Sequence, residues 1–481
     1  MNHRMIRYIV LWILKIEGLF MLLPALTGFI YAEYREALIY LLIAAICIAF
    51  GFIGTRKRPE NTGIYKKEGF AAVALCWIVL SMFGALPFVV TGEIPFYIDA
   101  LFEIVSGFTT TGSSILTDVE ALSHTSLLWR SFSIWMGGMG VLVFALIFMP
   151  VKDGSRMNLM LAESPGPDVS KLVPRVKDTA VMLYKIYIVL TLAQIAALML
   201  AGMQAFDSFC ITFATAGTGG FSVLASSCAA YTALQQWIIT IFMALFGVNF
   251  TFYFFIICKK AGIALRMEEV RGYVIIILAS VAAITINIMH MYEAIGDAIR
   301  DAAFQVSSII TTTGLTTTNY DLWPTFSKTI LVMLMFCGAC AGSTGGGLKV
   351  SRVIILFRSV KKELYETLFQ RRIKQIRFDG KVVSDKRLHT VNVYLAAFLM
   401  IFVISLIIVS IDGYSFESNF TAVATTINNV GPGLDMVGPV GSFAAYSPLS
   451  KIVLTFDMLA GRLEIFPMLI LFSPVLWRER S

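Results

Sequence analysis

The sequence predicts an all-α integral membrane protein, and three observations lead to that fold class. Hydrophobic residues make up 57% of the 481 residues and charged residues only 14%, whereas soluble domains carry about 25% charged residues. The apolar residues form blocks of about 20 residues, the length that crosses a bilayer as a helix. A glycine-rich polar pattern also recurs four times between these blocks. One soluble core of this size could not bury so much apolar surface.

The apolar blocks predict ten membrane spans. The first block is longer than the core of a signal peptide and lacks a small-residue cleavage site, so we interpret it as a retained span. The ten predicted spans cover residues 8–31, 37–54, 70–90, 127–149, 180–202, 236–258, 272–291, 329–356, 390–411 and 452–477.

The distribution of basic residues predicts the orientation of these spans. If the N-terminus is cytoplasmic, four loops and the C-terminus lie on the same side, and these segments carry most lysines and arginines. The loop at 358–387 is the most basic stretch of the chain. The positive-inside rule therefore places both termini in the cytoplasm, with the basic loop also able to contact lipid headgroups.

The opposite segments are acidic. They include Glu93, Asp99, Glu103, Asp207 and Asp297. Such residues either keep a water-facing surface soluble or form a negative vestibule that concentrates cations. Because the acids cluster near the glycine-rich segments, we favour the vestibule.

Four internal repeats follow two leading spans, and each repeat consists of a span, a short half-apolar stretch, a glycine motif and a second span. The leading spans occupy 1–66, and the repeats occupy 67–151, 178–259, 271–358 and 388–478. The short stretches lie at 95–106, 205–214, 294–309 and 416–426. Each is too short to cross the bilayer, so we expect four re-entrant pore helices around one central ion pore.

A polar motif follows each short stretch. The motifs are TTTGSS at 109–114, ATAGTGGFS at 214–222, TTTGLTTTN at 311–319 and TTINNVGPG at 425–433. Extended backbone at membrane depth must line protein or a water-filled cavity. Four such strands around an axis can offer carbonyl oxygens in place of the water shell of a cation, and glycine permits the required backbone angles. In the second motif, Gly217, Gly219 and Gly220 compete for the equivalent position.

The last span of the third repeat contains glycines that predict an interruption. Each glycine costs about 1 kcal/mol inside a helix, so we expect the segment 338–347 to unwind and line the pore. Close helix packing through small residues is the alternative. The residues concerned are Gly338, Gly342, Ser343, Thr344, Gly345, Gly346 and Gly347.

Two basic residues lie near this segment in the predicted pore. Lys349 directly follows it and is a candidate anchor. Arg462 lies inside the last span, where a buried arginine is costly and usually functional. We expect Arg462 to face the pore, where it repels a resting cation or tethers the unwound segment. The alternative is a structural ion pair. Glu464 is not its expected partner, because residues two apart on a helix do not share a face.

Several longer motifs in order resemble one family of membrane proteins. They are WMGGMG at 135–140, ESPGP at 163–167, LVPR at 172–175, CGACAGSTGGGLK at 337–349 and GRLEIFP at 461–467. With the two leading spans, they make the chain similar to the Trk/Ktr/HKT superfamily of cation transporters, specifically its TrkH/TrkG-type potassium uptake membrane subunits. The resemblance covers nearly the whole chain.

The resemblance implies a potassium selectivity filter and a gate. The implied filter residues are Thr110, Thr111, Gly112, Thr218, Gly219, Gly220, Thr312, Thr313, Gly314, Asn429, Val430 and Gly431. Gly220 is preferred in the second repeat because Phe221 follows it, as in family filters. Glycine at Gly112 favours potassium, since sodium-favouring members have serine there. The segment 338–347 would be the intramembrane gating loop.

The resemblance also implies how the protein works in the cell. It places the chain in the bacterial inner membrane as a homodimer, with K⁺ as the transported ion. A cytoplasmic TrkA-like regulatory subunit would confer sensitivity to ATP, ADP or NADH. The chain itself is expected to bind no organic cofactor and no nucleic acid.

Other function classes fit the sequence less well. The four histidines are far apart, and GSTGGGLK at 342–349 lacks the Lys–Ser/Thr pair of a phosphate-binding loop, so we expect no enzyme. An alternating-access secondary transporter coupled to Na⁺ or H⁺ typically has two inverted halves, and it stays an alternative, as does a poorly selective K⁺/Na⁺ channel. Pairing of Cys210 with Cys228 is left open, whereas Cys337 and Cys340 are expected to be packing residues.

Overall fold

The computed structural model describes residues 1–140, 154, 158–159, 176–369 and 375–474. The two leading spans are helical. The first is formed by α1 (His3–Phe20) and α2 (Leu22–Ile30), and the second by α3 (Tyr34–Thr55). Helix α1 packs against α3 and α4 (Lys66–Gly84).

Each predicted repeat begins with a helix of 19–25 residues and continues with a shorter helix of 12–16 residues. Repeat 1 contains α4, α5 (Leu86–Thr91), α6 (Tyr97–Phe108) and α7 (His124–Gly138). Repeat 2 contains α8 (Val176–Leu200), α9 (Ala205–Gly217), α10 (Ala233–Phe246) and α11 (Phe250–Ile257). After the single turn α12 (Ala261–Ala264), repeat 3 contains α13 (Glu268–Ile288), α14 (Ile295–Ile310), α15 (Thr325–Cys337) and α16 (Val350–Leu368). Repeat 4 contains α17 (Asp385–Val409), α18 (Phe416–Asn428), α19 (Pro448–Arg462) and α20 (Phe466–Leu471).

The connection between repeats 3 and 4 forms a small hairpin. Strands β1 (Arg377–Phe378) and β2 (Lys381–Val382) pair antiparallel, with Arg377 opposite Val382. The turn between them uses Gly380 with φ +73°. This hairpin lies in the most basic loop of the chain, whose residues 370–374 are outside the described part.

Within the described residues, six helical segments are long and apolar enough to cross a membrane, and a seventh is a helix pair bent by 90°. The bent pair is α10 and α11. Its break is explained by the intramembrane segment of repeat 3, because Cys340 donates its N–H to the carbonyl of Gly247 at 3.1 Å and Phe250 donates to Gly342 at 3.0 Å. The predicted span 236–258 is therefore not a straight helix.

The three remaining predicted spans do not form long continuous helices in the described part. Within the predicted span 127–149, α7 ends at Gly138, and residues 141–149 are outside the described part. The span 329–356 is interrupted between Cys337 and Val350, as its glycines predicted. The span 452–477 breaks after Arg462 because Glu464 and Ile465 adopt positive φ. The fold is thus a helical membrane architecture, and the number of ten spans stays a prediction.

The leading helices are fastened to repeat 1 by polar contacts at one end. The hydroxyl of Tyr40 on α3 lies 3.0 Å from that of Ser126 on α7. Glu33 accepts hydrogen bonds from the N–H groups of His124 and Thr125 at 2.8 and 2.9 Å. These donors open α7, so Glu33 caps that helix from another part of the chain.

Candidate functional site

The four short helices end in the same way. The residues at this position are Thr110, Thr218, Thr312 and Asn429, and all have φ between 55° and 60°. In each repeat, the N–H of this residue donates to the backbone carbonyl three residues earlier. The N–H of the next residue donates to the carbonyl five residues earlier, and these hydrogen bonds are 2.8–3.2 Å long. This is a Schellman ending, in which glycine or asparagine is usual. Threonine here is strained, at a cost of about 1–3 kcal/mol, and such strain concentrates at functional sites.

A glycine with positive φ follows two residues later in every repeat. These glycines are Gly112, Gly220, Gly314 and Gly431, with φ between 64° and 106°. A side chain on any of them would lie closer than 3.0 Å to a carbonyl oxygen of the next repeat. The contacts join Gly112 to Gly219, Gly220 to Thr313, Gly314 to Val430 and Gly431 to Thr111.

These four contacts close a circuit through repeats 1, 2, 3, 4 and back to 1. Each contact joins a glycine to the carbonyl that precedes the next glycine, so glycines and carbonyls alternate around one axis. We call the four glycines and their two preceding residues the carbonyl ring. All twelve residues named from the sequence belong to it, and the structure brings them together. The C-termini of four helices converge on it, which adds negative partial charge at the axis.

The second repeat shows which of its three glycines holds the ring position. Gly217 is the last residue of α9, Gly219 supplies the ring carbonyl, and Gly220 has φ +64°. Gly220 is therefore the geometric equivalent of Gly112, as preferred from the sequence. The aromatic ring of Phe221 behind it is 2% exposed.

A cavity of about 140 Å³ opens on all four ring glycines and is lined by the segments that follow them. Among its described lining residues there is no carboxylate, and Arg130 carries the charge. The acidic vestibule predicted for the outer segments is not formed by the residues that line this cavity, and it stays a prediction for the surface beyond them. Three of these acids, Asp99, Asp207 and Asp297, lie in the first turns of short helices, where they offset the helix dipole.

The interrupted span of repeat 3 forms an irregular loop between Cys337 and Val350, which we call the intramembrane loop. Positive φ occurs at Gly338, Gly342, Gly347 and Lys349, and α-helical geometry excludes such angles. Ser343 and Thr344 are buried and donate their hydroxyls to carbonyls of Cys340 and Phe246 at 2.7 and 3.3 Å.

The intramembrane loop lies directly against the carbonyl ring. Gly346 donates its N–H to the hydroxyl of Thr312 at 2.6 Å, and Gly347 donates to the carbonyl of Asn428 at 3.0 Å. A side chain on Gly345 or Gly346 would collide with the carbonyl oxygens of Thr311 or Asn428. Since the loop contacts residues that precede the ring glycines, it lies on the opposite side of the ring from the cavity.

Two buried basic side chains hold the loop in place. Arg462 donates to the carbonyls of Thr344 at 2.8 Å and of Gly138 at 2.7 Å, and to the hydroxyl of Thr110 at 3.4 Å. Lys349 is 1% exposed and donates to the carbonyls of Gly345 and of Gly346, the latter at 3.1 Å. Both side chains thus bind backbone carbonyls of the loop.

Sequence reasoning missed a third group that holds the loop. Glu269 on α13 is 3% exposed and accepts the N–H groups of Ala341 at 2.6 Å and Ser351 at 3.2 Å. Its other oxygen accepts from the amide of Asn249 at 3.4 Å. One carboxylate therefore joins the first half of the loop to the first turn of α16. The signal in the sequence was a pair of adjacent acids, Glu268 and Glu269, at the entrance of an apolar span.

One further expectation needs correction, and one question that the sequence left open is answered. Glu464 was placed on the same helix as Arg462, but the helix ends at Arg462 and Glu464 turns back to pair with Arg352. Cys210 and Cys228 are both buried and free, so they do not pair.

The fold and the site together define a class of protein. A largely helical chain with long apolar segments arranged around a fourfold ring of backbone carbonyls is an integral membrane ion-transport protein. Comparison with known families makes this specific. The TrkH family model, described as a cation transport protein, matches residues 41–275 and 272–479. The chain belongs to this family.

Individual relatives match over nearly the whole chain. The Trk system potassium uptake protein TrkH of Salmonella typhimurium is 35% identical over 466 residues, which cover 95% of this chain and 96% of that protein. The Trk system potassium uptake protein TrkG of Escherichia coli is 32% identical over 483 residues, or 99% of each chain. A crystal structure of the potassium transporter TrkH from Vibrio parahaemolyticus superimposes with a TM-score of 0.88 at 32% identity, covering 99% of this chain and 100% of that one.

Proposed function

We propose that this protein mediates potassium uptake across the bacterial inner membrane, with the carbonyl ring as its selectivity filter. The observation that carries the proposal is the closed circuit of ring contacts, in which each repeat contributes one glycine and one facing carbonyl. Relatives named as potassium uptake proteins at 32–35% identity support potassium as the ion.

Selectivity among cations would depend on replacing the water molecules bound to the ion with oxygen atoms of the protein. A cation entering the ring loses part of its hydration shell, and carbonyl oxygens together with four helix C-termini replace that shell. One glycine per repeat gives a short filter. We therefore expect preference for potassium over sodium, guided by the glycine at Gly112, rather than strict exclusion of sodium.

The intramembrane loop would be the gate of this pathway. It lies against the ring and is tethered by Arg462 and Lys349, so an ion leaving the ring meets both the loop and the positive charge of Arg462. Opening would require the loop to leave Thr312 and the guanidinium to release Thr344. Glu269, which holds Ala341 and Ser351, would be the fixed point about which the loop moves relative to α16.

The regulatory arrangement follows from the family resemblance and the charge pattern. We propose that both termini and the basic loop at 358–387 face the cytoplasm, where a TrkA-like subunit that binds ATP, ADP or NADH controls the loop. We also propose a homodimer. Names of relatives that refer to a Trk system support the presence of partner proteins.

Ion flux in liposomes tests this proposal. Purified protein is reconstituted, and uptake of potassium, rubidium, sodium and lithium is measured without any imposed sodium or proton gradient. We expect passage of potassium and rubidium, with slower sodium. Transport that strictly requires a sodium or proton gradient would favour the alternating-access alternative, and equal passage of potassium and sodium would favour the poorly selective channel.

A further inference from the structure

We propose that a buried ion pair between Glu103 and Arg130 positions the cavity side of the carbonyl ring and thereby sets its cation preference. The inference rests on the proposed function of the ring as a filter. Glu103 lies on the short helix α6, and Arg130 lies on α7. Both Nε and Nη2 of Arg130 contact the same carboxylate oxygen of Glu103, at 2.8 and 2.7 Å, and the two residues are at most 1% exposed.

The carboxylate of Glu103 also holds the chain just beyond the first ring glycine. Its two oxygens accept the hydroxyl of Ser114 at 2.9 and 3.0 Å, and one of them accepts the N–H of Ile115 at 2.9 Å. Ser114 stands two residues after Gly112. The direction in which repeat 1 leaves the ring is therefore fixed by a charged group.

The guanidinium of Arg130 reaches the second repeat in the same way. It stacks on the ring of Phe221 at 4.1 Å and donates to the carbonyl of Ser222 at 3.4 Å. These residues directly follow Gly220. A single ion pair thus joins the cavity sides of repeats 1 and 2, and Arg130 lines the cavity itself.

Among the described residues, the positions equivalent to Glu103 in the other repeats carry no carboxylate. Glu103 stands seven residues before the strained Thr110, and the matching positions are Ile211, Gln305 and Ala422. Ile211 and Ala422 are apolar, and Gln305 makes one neutral hydrogen bond of 3.4 Å to Thr317. In repeat 3 a different carboxylate, Asp301, accepts the hydroxyl of Thr317 at 3.0 Å, but the ion pair of Glu103 and Arg130 is what joins the cavity sides of repeats 1 and 2.

The pair has two separable effects, because it carries charge and it fixes geometry. With Glu103 present, Arg130 is neutralised next to a pathway for cations. Without it, an unpaired positive charge would face the cavity and repel entering ions. Independently, Ser114 and Ile115 would lose their acceptor, which would loosen the ring.

The test is rubidium uptake by the full-length protein in liposomes, with potassium and sodium as competitors. We expect Glu103→Gln to raise the half-saturating potassium concentration about tenfold or more, because a buried charge loses its partner, and to reduce discrimination against sodium. The double variant Glu103→Gln with Arg130→Gln should regain much of the potassium affinity but not the discrimination. A purely structural role would reduce only the yield of folded protein and leave both quantities unchanged.

Two further variants keep the outcome decisive. Arg130→Lys retains the charge but loses the stacking on Phe221. It should therefore reduce discrimination against sodium with little change in the half-saturating potassium concentration. This variant provides the test if Glu103→Gln does not fold. The control is Asp99→Asn, which removes another ion pair of α6, to Lys451 at 2.7 Å, and should leave discrimination unchanged.

The results separate the inference from the proposed function. If the unmodified chain passes no monovalent cation, the proposed function fails. If it passes potassium, and Glu103→Gln keeps the original affinity and discrimination or its stand-in Arg130→Lys keeps the original discrimination, the inference alone is overturned.

Discussion

The backbone N–H of Gly346 donates a 2.6 Å hydrogen bond to the hydroxyl of Thr312. Thr312 is one of the strained residues of the carbonyl ring, and Gly346 is part of the intramembrane loop. This bond joins the proposed filter to the proposed gate without an intermediate. Any movement of the loop must break it, so the conformation of the ring and the position of the loop are coupled.

Removing the hydroxyl that Gly346 contacts should weaken the closed state. We expect Thr312→Val, which keeps the branched shape, to raise basal rubidium uptake by about fivefold, since one hydrogen bond contributes about 1 kcal/mol. The measurement is uptake into liposomes without a regulatory partner. The control is Thr215→Val, because that hydroxyl bonds its own helix at Ile211. Equal basal uptake in Thr312→Val and the unmodified protein would argue against the coupling.

A serine in the first ring position should change the cation preference. Gly112 has φ +83° and lies against the carbonyl of Gly219, so Gly112→Ser must displace that carbonyl and widen the ring. We expect sodium passage to rise severalfold relative to potassium. The matched control is Gly413→Ser, because Gly413 has a similar φ of +78° but no neighbour within 4 Å. If the two variants behave alike, Gly112 does not form part of a filter.

Loss of the arginine that holds the loop should open the pathway. We expect Arg462→Gln to raise basal flux about tenfold, because charge-assisted hydrogen bonds to Thr344 and Gly138 disappear and the positive charge beside the ring is removed. Arg462→Lys keeps the charge but cannot reach several carbonyls at once, and it should give an intermediate flux. Flux below that of the unmodified protein in both folded variants would contradict the role of Arg462 as a tether.

Glu33 gives a pH-dependent contribution to stability outside the spans. Burial raises the pKa of Glu33, but hydrogen bonds from His124 and Thr125 outweigh this and hold its pKa below the usual value. A carboxylate with a lowered pKa stabilises the folded state above its unfolded pKa, and the effect fades as pH falls through its folded pKa. Glu33→Gln should therefore cost about 1 kcal/mol at neutral pH and progressively less in acid. Apparent melting temperatures of both proteins from pH 7 to pH 3 test this, and a constant difference would contradict it.

Much of the fold was predictable because its signals are local. The short helices α6, α9, α14 and α18 lie where half-length apolar stretches precede polar motifs. The interruption of the span in repeat 3 follows from five glycines close together. The boundaries of the four repeats and the functions of the ring and loop residues stay predictions.

Other features depend on contacts between distant segments and leave little trace in the sequence. The 90° bend between α10 and α11 occurs at Gly247 in an apolar run that is typical of a straight helix, because the loop of repeat 3 supplies the missing partners. Glu464 lies two residues after α19, which ends at Arg462 although the predicted span continues to residue 477. Its partner Arg352 is 112 residues away in the sequence. From the sequence, Glu103 was grouped with the acids that face water, whereas in the structure it is buried in an ion pair with Arg130.

Crystals grown with rubidium in place of potassium offer the most direct test that the ring binds the transported ion. The anomalous signal of rubidium would locate the ion independently of any flux assay. We predict a peak on the axis, surrounded by the carbonyl oxygens of Thr111, Gly219, Thr313 and Val430. A protein that conducts rubidium in liposomes but shows its ion density elsewhere, with an empty ring, would contradict the account.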